Sequence, residues 1–523
     1  MPPRLGPAGS GTGMAQARPM FGQIASLALL MAVGTSAAAE MAVQPSGLDS
    51  PASAIPWLSD SLRPRTEEPV AKPAPETPIT VLPLGETRRD AVGLLSADVT
   101  GLPADAFVGS DPIRLARLIA QLRPLDLPAL QDLTLSILLG EFDAPRAAID
   151  PDALFFARVD ALLRLGALDQ AQALLERAGA TDRAAFRRWW DASLLTGHDV
   201  RACDAMTANP GIAPTLPARI FCLSRSGDWP AAALTLDVAR AIGAVTEAED
   251  ERLGRFLDPE LYEGLPPAPP PEPMTPLAFR LLDGVGETPS TSRLPLAFAV
   301  ADLRPTTGWK AQIEAAERLV RARALDPNRL LALYTERRPS ASGGVWDRAA
   351  AIQRLDAALI GGNTDAIAQA LPDAFQRMEA AGLLVPFAAL YGEKLARRDL
   401  GPEGNALALR VGLLSPAYGA VAQAATARQP DMRFAVSVAL GVPHAPVDAL
   451  GRAVGDGMSG PPSAQLARDL SPGRLGDAVL EAVMRLDAGA EADPQDIADA
   501  LSLLRAAGLD DVARRTALQL LLL

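Results

Sequence analysis

Histidine is almost missing from this chain: among 523 residues there are only His198 and His444. Metal centres and proton transfer near neutral pH lean on imidazole, so both chemistries start poorly supplied. The metalloprotease, phosphate-loop and nucleophile-elbow motifs are absent too. Cysteine is as scarce, with Cys203 and Cys222 alone and no C-x-x-C spacing to suggest a redox or zinc motif. Aromatic residues make up 4% of the chain. Ala and Leu take their place, which suits close helix-on-helix packing better than a β-sandwich. Basic residues form no stripe and the formal net charge is −13, so the electrostatic footprint of a nucleic-acid binder is lacking. The same acidity disfavours docking on anionic lipid. No apolar run reaches the roughly 20 residues of a membrane span.

The longest apolar run, Ile24 to Val33, follows Arg18 and precedes Ala37-Ala38-Ala39. A short positive start, a short apolar core and small residues at 37 and 39 read as a secretory leader over 1–39, cleaved before Glu40, with Met14 as a candidate start. Periplasmic export follows, with an uncleaved inner-membrane anchor as the alternative. Prolines recur every few residues from Pro51 to Pro83, which predicts an extended tether over 40–83. A second break is sharper: Pro266, Pro267, Pro269, Pro270, Pro271, Pro273 and Pro276 crowd into the stretch 264–276. An interdomain linker is expected there, between one helical block at 84–263 and a second at 277–523.

Elsewhere the period is helical. Phe155, Val159 and Leu162 fall on one face, and Ala171, Leu174, Leu175 and Ala178 on another, with Gly166 between. Asp169 is expected to cap the second helix. An Asp-Pro pair marks helix starts at Asp111, Asp150, Asp258, Asp326 and Asp493. Helices joined by so few residues pack antiparallel. No window alternates as a strand does. The fold class is therefore all-α, an irregular α-solenoid of antiparallel helix pairs in two blocks.

Three turns share one pattern, with Leu four before a Gly and Ala five after it: Leu162-Gly166-Ala171, Leu223-Gly227-Ala232 and Leu504-Gly508-Ala513. The glycine permits the turn and the alanine lets the second helix approach. This resembles the tetratricopeptide repeat, most closely over Asp150–Gly179, with Ala315–Leu333 similar to one unit running into the next. The resemblance covers about a third of the chain and implies stacked helix pairs that bind proteins. The segment Phe221-Cys222-Leu223-Ser224-Arg225-Ser226-Gly227-Asp228-Trp229 also resembles one found in uncharacterised exported proteins of proteobacteria.

Few residues suggest chemistry. His198 and His444 read as loop residues, and Gly284-Val285-Gly286 as a loop. Glu393 could serve as the acid of a peptidoglycan-cleaving site, which would need an apolar cleft around it, but Lys394 and Arg397 beside it point to a helix surface. Glu247–Arg252 reads as a solvated helix start. Of the adjacent Trp189 and Trp190, one is a candidate for exposure. The tail Leu518–Leu523 reads as the buried face of a last helix, or as a docking segment. Cys203 and Cys222 fall in two expected helices, Val200–Ala208 and Leu216–Ser224, whose antiparallel packing would allow a structural disulfide. Together these features imply a non-catalytic exported scaffold that needs no cofactor or metal and binds a protein or peptide partner in the periplasm or envelope. The alternative is an envelope enzyme acting on peptidoglycan, or its accessory helical domain.

Overall fold

A computed structural model describes residues 88–523, apart from 147–151, 180 and 428. The leader, the tether and the Asp150-Pro151 helix start lie outside the described residues. Among the described residues the fold is all-α: helices and short 3-10 turns with no strand, and a lone bridge between Leu95 and Gly140.

Local chemistry sets the helix ends. Asp111, Asp326 and Asp493 each accept a hydrogen bond from the backbone N–H two residues on, while the following proline opens the helix. Asp258 accepts from the N–H three residues on, that of Leu261, at the head of a short 3-10 turn, Pro259–Tyr262. Thr246 and Glu249 close a full capping box on Glu247–Leu257. Asp169 is not a cap, contrary to the sequence pattern. The helix Leu168–Arg177 begins one residue earlier, after Ala167, and no side chain caps it.

The repeated turn is a Schellman close. In all three copies the glycine is left-handed (φ 78°, 86° and 82°). The N–H after it donates back to the Leu carbonyl at 2.9 Å: Ala167 to Leu162, Asp228 to Leu223 and Leu509 to Leu504. Ala171, Ala232 and Ala513 are all fully buried where the second helix crosses the first. The chain then runs as neighbouring helices laid on one another, with Leu384–Ala396 against Gly401–Leu413 and Val345–Gly361 against Thr364–Ala380 among the tightest pairs.

The end of this succession packs on its beginning. Pro128–Leu139 carries no exposed residue and touches Ala153–Arg164 on one side and Leu475–Arg485 and Asp510–Leu522 on another. A helix that opens no face to water has to be covered all round. Buried Gln519 accepts from the Ala129 N–H at 2.9 Å, and Asp132 pairs with Arg515 (3.2 Å) and Arg323 (2.6 Å). Farther along the seam, Arg114 pairs with Asp477 and Glu481, and Gly476 lies so close to Phe107 that a Cβ there would overlap the ring. The tail is thereby accounted for: Leu518, Leu520 and Leu522 are buried and only Leu523 is largely exposed.

The stretch 264–275 has no helix and is mostly exposed, yet it is tied at points. Arg255 donates to the Pro266 carbonyl at 2.7 Å, and the N–H of buried Ala268 donates to Glu287. The helices on either side, Glu247–Leu257 and Pro276–Gly284, pack on each other. The described residues from 88 onward belong to one compact unit.

Candidate functional site

Among the described residues the surface carries a groove along Glu393–Met432, a hollow beside His198 and a third hollow of about 310 Å³ lined by Gln121–Leu125 and Val483–Asp487, and three polar networks lie away from the groove. The first network pins the start of the described chain. Arg158 is 4% exposed and donates to four carbonyls, those of Leu138, Gly140, Asp90 and Val92, at 2.8–3.1 Å. Two of these belong to the end of Pro128–Leu139, where cations suit the helix terminus. Burial holds the guanidinium down to about 10 and pushes the neighbouring Asp90 carboxyl up to about 6. In the second, the Tyr334 hydroxyl and the Arg348 guanidinium both donate to Glu317. Burial, then the Glu317 charge, raises the Tyr334 phenol well above its usual range. The third surrounds Asp191, pushed up to about 6 by burial, with Arg187 and Arg188 opposing and Asp160 adding to the shift.

The larger hollow is a groove running from Glu393 to Met432. It consists of two adjoining parts of about 500 and 760 Å³ that share Asp399, Asn405, Leu409 and Thr426. Its floor is made of small apolar groups, chiefly Ala396, Ala408, Ala420, Ala424 and Val421. Glu393, the one acid weighed for catalysis, stands at its rim, more than half exposed and paired with Arg397 one turn on. The Asn405 amide and the Gly401 N–H hold the Asp399 carboxyl below its usual range. The carboxyls that burial raises (Asp90, Asp191 and Asp302) belong to other parts of the fold.

The second hollow, about 290 Å³, opens between the turns at Gly166 and Thr196 and the segments Val300–Pro305 and Ala324–Arg329. His198 lines it, as the residue before the helix Asp199–Ala208, with its Nδ1 3.2 Å from the Thr196 hydroxyl. His444 is exposed elsewhere, with Nδ1 3.0 Å from the Val442 carbonyl oxygen. The two histidines are thus not brought together, and among the described residues no cluster of His, Cys, Asp and Glu could hold a metal.

No family model, no curated protein and no solved structure matches this chain.

The remaining candidates fall as follows. Cys203 and Cys222 form a disulfide between the helices Asp199–Ala208 and Leu216–Arg225, with Cα atoms 5.1 Å apart and both residues buried. Trp189 and Trp190 are both buried, so neither is a contact residue; Trp189 donates to Glu176 at 3.1 Å. Among the described residues the exposed tryptophan is Trp229 at 47%, at the head of a helix whose Leu234 and Val238, with Ile242 just beyond, form a bare apolar stripe. Their spacing of four was legible in the sequence. Exposure was not, because the same spacing describes a core face. The groove was invisible for a related reason: alanines lining a floor cannot be told from alanines between helices until the neighbours are placed. Among the described residues no helix is long and apolar enough to cross a membrane.

Proposed function

We propose that the chain is an exported, non-catalytic scaffold of the periplasm or cell envelope, an α-solenoid whose groove along Glu393–Met432 receives a segment of a protein partner. The observation that carries this reading is the chemistry of the groove. It has a long floor of methyl groups and a rim of charges already paired or solvated, Glu393 with Arg397 and Asp399 with the Asn405 amide and the Gly401 N–H. Glycoside cleavage calls for a raised acid facing a second carboxylate across an apolar cleft. A floor of small side chains with a polar rim fits recognition of an extended segment instead. The disulfide accords with an oxidising compartment, and the leader at 1–39 with export.

The test places a photoreactive side chain at exposed Ala424 and, as a control, at exposed Glu336, and illuminates cells making the protein. A discrete adduct at 424 that is absent at 336, and lost when Ala420→Trp fills the groove, is the expected result. Release of sugar fragments from peptidoglycan by the purified protein, abolished by Glu393→Gln, would establish the enzyme reading in its place. Absence of adducts throughout the groove would also overturn the proposal.

A further inference from the structure

The hollow beside His198 carries more than its size. Its floor is apolar, made by Leu168, Leu303 and Leu319, while its rim gathers cations. Arg329 is exposed there, and among the described residues its guanidinium meets no hydrogen-bond or ion-pair partner. Arg304 is held in place rather than free to swing: its Nε donates to the Ala301 carbonyl at 2.7 Å and its Nη1 to Asp283 at 2.8 Å, which leaves Nη2 unengaged. Asp283 is itself shared with Arg280, which reaches buried Asp199, so Arg304 is the outer end of a fixed chain of charges. His198 adds a ring whose Nε2 is free. Against these stands one lining carboxylate, Asp169. In a chain of net charge −13, a recess with two arginines to one acid runs against the average. Two helices begin at its wall, Leu168–Arg177 and Asp199–Ala208, with no side-chain cap and with Asp169 and Asp199 in their first turns, so the positive potential here comes from the arginines rather than from the helix ends.

We infer that this hollow binds a small organic anion, with a carboxylate or phosphate head between Arg304 and Arg329 and a short apolar body on the leucine floor. Guanidinium forks pair with planar carboxylates and with phosphates at two points at once, which gives orientation as well as attraction. The volume, about 290 Å³, lies at the small end of ligand sites. The inference does not depend on the groove or on its occupant.

Calorimetric titration of the purified protein at low ionic strength tests it, because screening would mask an exposed charge contact. The probes are hexanoate, phenyl phosphate and inorganic phosphate, with hexylamine as the cationic control. Hexanoate or phenyl phosphate should bind, inorganic phosphate more weakly for want of an apolar body, and hexylamine not at all. Whichever of the first two binds tighter names the head group. Arg329→Gln should weaken binding about tenfold, whereas Asp169→Asn should tighten it and Arg433→Gln, outside the hollow, should leave it unchanged. The opposite signs at 329 and 169 cannot come from general destabilisation. Binding of neither organic anion, an unchanged affinity in Arg329→Gln, or stronger binding of hexylamine would overturn the inference.

Discussion

Single residues in this molecule show how burial trades against charge. Arg158 is tolerated in the core because four carbonyls replace the water it has lost. Asp191 has no such compensation: two arginines lie near enough to act on its charge, but burial outweighs them and its carboxyl stands at about 6. In the unfolded chain the same group titrates near 3.8. Between those two values the folded state keeps a proton that the unfolded state has released, so this residue's contribution to stability falls as pH rises through the window and stays low above it. Asp191→Asn removes the effect. The variant should therefore be more stable than the parent by on the order of 1–2 kcal/mol at pH 7.5, and nearly equal to it at pH 4. Urea unfolding of both proteins at the two pH values measures the difference. An equal gain at both would mean that Asp191 is ionised in the folded protein throughout.

At the scale of elements, the turn chemistry was readable and its variants were not. The pattern of Leu, Gly and Ala marks three turns because both its side chains recur there, Leu four before the glycine and Ala five after it. The same Schellman close occurs at Gly197, Gly362 and Gly382, where His198, Asn363 and Leu383 donate back to the residue five before. There the fifth residue after the glycine is Ala202, Ile367 or Phe387, all fully buried. Backbone geometry is common to them while the side chains vary, with Ser193, Ala358 and Met378 standing four before these glycines in place of Leu, so a residue-by-residue pattern finds only some copies. The helices themselves were legible because caps and periodicity are local; Asp169 misled because a carboxylate in the first turn favours a helix start as a cap does. The disulfide follows from one such pair. It joins residues 19 apart on adjacent helices, beneath the turn at Gly227. In the chain-entropy account, closing a loop of that size stabilises the fold by about 3 kcal/mol. The Cys203→Ala/Cys222→Ala double variant should lose about that much, read as a lowered urea midpoint. Because both residues are buried, a thiol reagent applied to the native, reduced protein should react slowly, and fast reaction would point to an exposed, working redox pair.

The whole molecule depends on contacts that sequence order conceals. Seven prolines in 264–276 announce a break in helix, and there is one. What a proline count cannot convey is whether the chain on the far side returns to the near side. Here it returns twice. Pro276–Gly284 packs on Arg183–Thr196, with Arg280 reaching Asp199, and the last helix, Asp510–Leu522, covers the helix Pro128–Leu139, none of whose residues is exposed. Stripping that cover would expose Leu130, Leu133 and Ile137, each buried to 3% exposure or less. At roughly 25 cal/mol per Å² of apolar surface, such exposure outweighs one severed peptide bond in a loop. Limited proteolysis should therefore cut within 264–276, since most of that stretch is exposed. The two pieces should nevertheless elute together on size exclusion and unfold in one urea transition, parting only in denaturant. Asp132→Ala, which removes the partner of both Arg323 and Arg515, should lower the urea concentration at which the nicked halves separate. Halves that part without denaturant and keep their helical signal would show instead that the prolines divide two independent folding units.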